Sequence, residues 1–230
     1  MISSAHPIAS KIGLDILKNG GNAFDAAIAV HFALSVVYPN AGNIGGGGFL
    51  VYRLNNGDIG TLDFREKAPE KSYRDMYIDS IEGELKVDEK MSKFGHLSSG
   101  VPGSVDGMFK IYDKFSTVDW IDLLEPSIKV AREGFGVTEK QAKGLNNVKK
   151  SLVSANDHPI PFVKEDPWKV GDILTQKNLA NTLEEIKKSK RDGFYKGAVA
   201  ELIINEMKSG GGIITQSDLD NYSSVWREPV

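Results

Sequence analysis

The chain has 230 residues, with 28 basic and 31 acidic side chains, a formal net charge of -3 and no cysteine. This length is enough for one large domain or two small ones with a substantial core. The lack of cysteine excludes a thiolate nucleophile, a zinc–thiolate site and a disulfide framework. No basic stripe interleaved with aromatic residues occurs, so neither nucleic acid nor a membrane is indicated as a partner.

The first predicted elements are two helices. Isoleucines at helical spacing predict a helix over residues 8–18, which Asn-Gly-Gly at 19–21 ends. Asn22 is the predicted N-cap of a second helix. Residues 26–37 are apolar on almost every side but fewer than the roughly 20 that a bilayer requires, so we expect a buried central helix. We interpret His31 on this helix as a core or edge histidine.

A β-hairpin is predicted next. Residues 49–54 and 59–64 read as strands, and the Asn-Asn-Gly-Asp sequence at 55–58 is typical of a tight turn. The glycine run at 45–48 precedes a strand and no Lys-Ser or Lys-Thr follows it, so a phosphate loop does not fit. This pattern favours close packing of two backbones, or a loop approached by a ligand or partner. Arg65 lies at the far end of the hairpin.

The rest of the chain is predicted to be mostly helical. Residues 66–95 are charged and aperiodic, which predicts a long loop or an excursion over the surface. Thr215 begins a predicted capping box, and residues 222–230 have strand character. Because the sequence stops on that strand, we expect it to be truncated. Helices are predicted at 104–115, at 118–133 with a break at Pro126, at 139–150 after a Thr138 cap, at 178–188 and at 195–208.

Few other residues form a pattern with chemical meaning. The four histidines form no HExxH-type pair, so a metal site would need long-range assembly. No Gly-x-Ser-x-Gly sequence occurs, and the serines between 98 and 104 have no base beside them. The first ten residues, MISSAHPIAS, lack the basic start and apolar stretch of a secretory signal. The histidines are His6, His31, His96 and His158.

Arg65 is the strongest candidate for ligand binding. Guanidinium stays charged, and its planar fork matches a carboxylate with two hydrogen bonds. On local features alone, a structural salt bridge to Asp63, Glu66 or Glu70 is the competing interpretation. Asp63 and Glu66 are three residues apart and would face opposite sides of a strand, so shared acid–base work by this pair is not expected.

Several motifs, taken together and in order, resemble the gamma-glutamyltransferases. The resemblance extends from about residue 4 to residue 230. Its segments are NGGNAFDAA at 19–27, GNIGGGGF at 42–49, DFRE at 63–66, GVPG at 100–103, GFYKG at 193–197 and GGIIT at 211–215, followed by Asp218 and Tyr222.

The resemblance implies an α+β fold of the N-terminal nucleophile hydrolase type, a four-layer αββα sandwich, of which this chain would be an incomplete, helix-rich portion. Such enzymes cut themselves into two subunits and attack the gamma-glutamyl amide of glutathione or a related donor with the newly exposed threonine. The acyl group passes to an amino acid, a peptide or water. The resemblance implies no cofactor or metal, and a periplasmic or secreted location.

The same resemblance assigns Arg65 to the α-carboxylate of the glutamyl donor. It places the threonine nucleophile in the small subunit, so we expect no catalytic residue in this chain. Residues 1–230 would be the N-terminal part of the large subunit, with the small subunit of the same precursor as its partner. We therefore predict that the chain is inactive alone.

Three alternatives stay open at this point. Related enzymes that cleave poly-gamma-glutamate or the glutaryl side chains of beta-lactams share part of these motifs. The chain could also be a separate module that binds an amino acid through Arg65 and the glycine loop. Finally, it could be an inert fragment.

Overall fold

The computed structural model describes residues 1–81 and 84–229. Helices and strands alternate irregularly, so the chain is a mixed α and β structure. No helix in these described ranges is long and apolar enough to cross a membrane. The helices are α1 (Pro7–Lys18), α2 (Ala23–Val37), α3 (Glu89–Lys93), α4 (Ser104–Phe115), α5 (Trp120–Glu133), α6 (Glu139–Ser154), α7 (Lys177–Ser189), α8 (Asp192–Tyr195), α9 (Gly197–Ser209) and α10 (Gln216–Asn221). The strands are β1 (Phe49–Arg53), β2 (Ile59–Asp63), β3 (Ile78–Ile81), β4 (Glu84–Val87), β5 (Phe135–Gly136), β6 (Ile173–Leu174) and β7 (Val225–Arg227).

The chain folds into two compact units. The first unit comprises Met1–Gly42 and Ser116–Lys187, and the second comprises Asn43–Phe115 and Lys188–Val230. The first unit is mainly helical and contains the predicted central helix. The second unit contains the hairpin and Arg65.

Helix α2 is buried in the first unit, as predicted. It begins with a capping box, in which the Asn22 side chain accepts the Asp25 N–H and the Asp25 carboxylate accepts the Asn22 N–H at 2.8 Å. Phe32 is fully buried and packs edge-to-face on Trp120 of α5, with ring centroids 5.6 Å apart. Burial lowers the pKa of His31 to about 4, so its imidazole is neutral near pH 7.

The predicted break at Pro126 is wrong, because α5 runs through it without interruption. A proline inside a helix costs roughly 3 kcal/mol. The apolar stripe of α5 buries Leu123, Leu124 and Ile128 almost completely. Burying each such side chain contributes about 1.5 to 3 kcal/mol, which together exceeds the proline cost.

The predicted long loop at 66–95 is also wrong in part. Strands β3 and β4 pair antiparallel, with Ile78 opposite Val87, and α3 follows them. Leu85 and Val87 on β4 are exposed. Leu85 and Val87 alternate with Glu84 and Lys86, but this alternation covers only four residues of a mainly charged segment, so it is a weak signal for a strand. The helices predicted at 104–115, 139–150, 178–188 and 195–208 are confirmed to within a few residues, and α6 extends to Ser154.

The hairpin belongs to a three-stranded antiparallel sheet with strand order β1-β2-β7. Phe49 lies opposite Asp63, and Thr61 lies opposite Arg227. Gly57 in the connecting turn has φ +94°, a conformation that side chains other than glycine disfavour. The strand predicted at 222–230 is confirmed over the three residues of β7, which pair with β2.

Candidate functional site

Arg65 lies two residues beyond the end of β2 and is exposed to solvent. Its guanidinium carbon lies 5.8 Å from the centroid of the Phe49 ring. Phe49 is on β1 and is itself 63% exposed, so this contact leaves the guanidinium open to solvent. A cation above an exposed ring gains only about 0.5 to 1 kcal/mol. The side chain is therefore placed loosely by its own contacts.

The salt bridge predicted from local features is not formed. Within the described residues, Arg65 has no ion pair with Asp63, Glu66 or Glu70. Asp63 instead pairs with Arg227, with Nε and Oδ2 2.9 Å apart, and accepts the backbone N–H of Arg65 at 3.1 Å. That backbone hydrogen bond, followed by the contacts with Arg227, holds the pKa of Asp63 below its usual value.

The glycine run packs two backbones together, which confirms the first of its predicted uses. A Cβ on Gly47 would lie 2.8 Å from the Cα of Arg65 and close to the Phe64 carbonyl. Gly48 and Phe64 exchange backbone hydrogen bonds, with N–O distances of 3.3 and 3.0 Å. The carbonyl of Gly46 accepts N–H groups of Gly103 and Ser104 at the start of α4, at 2.8 and 3.0 Å. The glycine loop thus fixes the backbone that carries Arg65.

The GVPG segment supports the same backbone from another side. A Cβ on Gly103 would collide with the Phe64 carbonyl and the Tyr222 hydroxyl, so no larger residue fits there without movement. Val101 and Lys67 exchange backbone hydrogen bonds of 2.8 and 3.1 Å. The chain on both sides of Arg65 is therefore held by glycine contacts or paired backbone.

A buried ionic network lies behind this support. Asp106 on α4 is 2% exposed and accepts Arg191 Nε at 2.6 Å. The other carboxylate oxygen accepts the Ser224 N–H at 2.8 Å and the Ser224 hydroxyl. Arg191 also donates from its terminal nitrogen to the Tyr222 carbonyl at 2.6 Å. A buried carboxylate needs this degree of pairing to offset its desolvation.

Tyr222 connects the network to Arg65. Its hydroxyl donates to the carbonyl oxygen of Arg65 at 2.7 Å, and its ring stacks on Tyr195 with centroids 5.9 Å apart and planes at 10°. Tyr195 in turn donates to the Pro102 carbonyl at 2.8 Å. Burial, followed by the nearby carboxylate of Asp106, raises the pKa of the Tyr222 phenol, so it remains a donor across the neutral range.

Neither Asp106 nor Arg191 is among the functional residues predicted from the sequence. One signal was available, because Asp106 lies among the apolar residues Val105, Met108 and Ile111 of α4, all of which are buried. A carboxylate within the apolar part of a helix indicates a buried charge that needs a partner. The identity of that partner, 85 residues away, could not be read from the pattern.

An open cavity of about 250 Å³ lies near the Arg65 segment. Asp218 contributes to its wall and accepts N–H groups of Glu70 and Thr215, both at 2.7 Å. Burial would raise the pKa of Asp218, but a hydrogen bond from the Thr215 hydroxyl at 2.6 Å, together with these two N–H groups, outweighs it and the pKa is lowered. The lining residues are Lys67, Ala68, Glu70, Val101, Ser217, Asp218, Asn221 and Tyr222. No group of three or more histidine or carboxylate side chains suited to a metal ion occurs within residues 1–81 and 84–229.

Comparison with known proteins decides the family. The family profile described as gamma-glutamyltranspeptidase matches residues 9–230, nearly the whole chain. The chain belongs to the gamma-glutamyltranspeptidase family. The chain is 43% identical over 232 residues to the glutathione hydrolase proenzyme of Escherichia coli (strain K12), which covers 100% of this chain and 40% of that protein.

Solved structures agree with this membership in the gamma-glutamyltranspeptidase family. The gamma-glutamyltranspeptidase of Helicobacter pylori is 46% identical, with a TM-score of 0.94, over 99% of this chain and 65% of that one. The transpeptidase CapD of Bacillus anthracis is 32% identical, with a TM-score of 0.82, over 100% of this chain and 71% of that one. The chain thus spans about two fifths of the E. coli proenzyme, in the N-terminal portion of the family sequence.

Proposed function

We propose that this chain supplies the arginine that binds the donor α-carboxylate in an enzyme that cleaves gamma-glutamyl amides. The proposal rests on the solvent exposure of the Arg65 guanidinium and on the contacts that hold its backbone. Its guanidinium is exposed and forms no ion pair within the described residues, although its backbone is tightly held. A fixed backbone bearing an open guanidinium suits bidentate binding of a carboxylate ligand.

The proposed donor is glutathione or another gamma-glutamyl compound, and the acceptor is an amino acid, a peptide or water. The name of the E. coli relative, a glutathione hydrolase proenzyme, supports this choice of donor. The proposed full-length protein is a precursor that cuts itself into two subunits with the four-layer fold of the N-terminal nucleophile hydrolases. Residues 1–230 are the N-terminal part of its large subunit, and a periplasmic or secreted location fits the family.

The proposed nucleophile is a threonine of the small subunit, so no residue of this chain performs the bond cleavage. The purified chain should therefore not hydrolyse a gamma-glutamyl anilide above the uncatalysed rate. Release of the aniline chromophore, followed with the E. coli enzyme as positive control, checks this prediction. Turnover by the chain alone that survives repeated purification would contradict it.

The role of Arg65 is tested in the full-length protein with Arg65→Lys. Lysine keeps the charge but loses the planar fork, which should cost at least about 2 kcal/mol of donor binding. Donor kcat/KM should fall by at least about 30-fold, while the acceptor KM changes little.

Arg74→Lys is the matched control for this substitution. Arg74 is also exposed, and its ion pair with Asp75 spans 3.7 Å at the surface. Donor kinetics of this control should stay within about twofold of the parent, because exposed ion pairs contribute little. An Arg65→Lys protein that behaves like the Arg74→Lys control would show that Arg65 does not bind the donor.

A poly-gamma-glutamate donor is the second candidate, because enzymes that cleave poly-gamma-glutamate share part of the sequence motifs of this chain. The name of the H. pylori relative, a gamma-glutamyltranspeptidase that is 46% identical, supports a gamma-glutamyl donor in general. Comparing initial rates with glutathione, poly-gamma-glutamate and a glutaryl amide on the full-length protein separates these donors. Calorimetry of the chain alone with glutamate tests whether it is a separate amino-acid-binding module.

A further inference from the structure

Both backbone polar groups of Arg65 are bound by side chains. Its N–H donates to Asp63 Oδ1 at 3.1 Å, and its carbonyl accepts the Tyr222 hydroxyl at 2.7 Å. Asp63 is a near neighbour in sequence, whereas Tyr222 is 157 residues away. The tyrosine therefore supplies a long-range side-chain hydrogen bond to the Arg65 backbone, in addition to the glycine contacts and paired backbone on either side.

Tyr222 is itself firmly anchored. Its carbonyl accepts Arg191 at 2.6 Å, and Arg191 is paired with the buried Asp106. The ring stacks on the nearly parallel Tyr195 ring, and the ammonium of Lys67 lies 5.1 Å from the Tyr222 centroid. Tyr222 is also 3% exposed, so its hydroxyl is largely shielded from competing water. A hydrogen bond in such a setting holds its acceptor more firmly than one at the surface.

We propose that Tyr222 is a positioning residue, whose hydroxyl holds the Arg65 carbonyl so that the guanidinium is aimed at the donor carboxylate; this rests on the proposed function of Arg65. Within residues 1–81 and 84–229, the long Arg65 side chain has no ion pair, and its contact with the Phe49 ring is weak. Its placement therefore depends on its backbone. Binding groups must be held to within about 0.5 Å of productive geometry by such supporting contacts.

The test is Tyr222→Phe in the full-length protein, because phenylalanine keeps the ring stack and removes only the hydroxyl. Donor KM should rise by about five- to tenfold, the equivalent of one lost hydrogen bond. The acceptor KM, and kcat at saturating donor, should change by less than about twofold. The lost contact weakens binding of the donor equally in the ground state and the transition state, and such a loss raises the donor KM without lowering kcat.

Tyr77→Phe is the matched control. The Tyr77 hydroxyl also donates to a backbone carbonyl, that of Leu97 at 3.2 Å, but Tyr77 makes no recorded contact with Arg65. This variant loses a similar hydrogen bond, yet its donor KM should stay within about twofold of the parent. Equal rises in donor KM for both variants would show that the Tyr222 hydroxyl acts only through the general stability of the protein, and would overturn the proposal.

Hydrogen exchange supplies a second readout on the chain itself. Lys67 and Val101 exchange backbone hydrogen bonds next to the Arg65 segment. Their amides should exchange about fivefold faster in Tyr222→Phe and unchanged in Tyr77→Phe. Unchanged exchange in Tyr222→Phe would show that the hydroxyl does not hold this segment, and would overturn the proposal.

The two proposals can fail separately. If Arg65→Lys impairs donor use and Tyr222→Phe does not, the positioning proposal is wrong and the role of Arg65 stands. If Arg65→Lys has no effect on donor use, both are wrong.

Discussion

The two compact units are stabilised in different ways. The first is organised around α2, whose middle packs on apolar side chains, as Phe32 does on Trp120, while the buried Asp25 in its first turn accepts hydrogen bonds. The second contains the buried Asp106–Arg191 pair and glycines in close contact with backbone around Arg65. Apolar packing tolerates small shifts, whereas hydrogen-bonded ion pairs and backbone contacts define positions closely. The candidate binding residue lies in the unit whose contacts define position.

The largest expected effect tests the apolar side of this comparison. Phe32→Ala should lower the free energy of unfolding by about 3 to 5 kcal/mol, because it leaves a cavity against the Trp120 ring. Urea denaturation followed by circular dichroism measures the loss. Leu14→Ala on α1, where the side chain is 40% exposed, is the control and should cost less than about 1 kcal/mol. Similar losses in both variants would show that α2 is not the centre of the first unit.

The next largest effect concerns the buried Asp106–Arg191 ion pair of the second unit. Asp106→Asn should cost about 2 to 3 kcal/mol, since it leaves Arg191, whose side chain is only 20% exposed, with just the 3.8 Å ion pair to the more exposed Asp192. Hydrogen exchange of amides in α4 reports the loss within the second unit. Asp113→Asn, at an exposed site on the same helix, should be nearly neutral. If Asp106→Asn were equally neutral, the network would not be needed to hold the second unit.

A smaller effect depends on pH and arises in the first unit. The pKa of His31 is lowered to about 4 in the folded state from an ordinary value of 6.5, so below pH 6.5 the unfolded chain binds a proton that the folded chain does not. The folded state therefore loses stability as the pH falls, by about 2 kcal/mol between pH 7 and pH 5. The loss levels off below about pH 4.

His31→Gln provides the check on this pH effect, because glutamine does not titrate. Between pH 7 and pH 5, the drop in the free energy of unfolding should be about 2 kcal/mol smaller for the variant than for the parent. Urea denaturation of the parent and of His31→Gln at pH 7 and at pH 5 measures this difference. Parallel pH profiles for the two proteins would show that His31 is not the group responsible.

Local signals predicted much of the fold. The Asn-Asn-Gly-Asp turn and its flanking strands identified the hairpin, and the apolar run at 26–37 identified the buried helix. The β3–β4 hairpin gave a weaker signal, because the alternation of Leu85 and Val87 with charged residues covers only four positions. Pro126 was misread, because propensity at one residue is outweighed by burial along the whole stripe of α5.

The site was only partly predictable, for a different reason. Arg65 came from a motif, but its support comes from contacts between residues far apart in sequence, such as Tyr222 with Arg65 and Arg191 with Asp106. A single sequence carries the residue types of such contacts and not their pairing. The salt bridge expected for Arg65 failed for the same reason, since Asp63 pairs with the distant Arg227.

The most direct test of the central claim compares two donors that differ by one group. Gamma-glutamyl anilide carries the α-carboxylate, and 4-aminobutanoyl anilide lacks it. The full-length parent should prefer the first by at least about 30-fold in kcat/KM, the equivalent of about 2 kcal/mol for the carboxylate contact. We predict that Arg65→Lys abolishes most of this preference. A preference that is the same in the parent and in Arg65→Lys would contradict the assignment of Arg65 to the donor carboxylate.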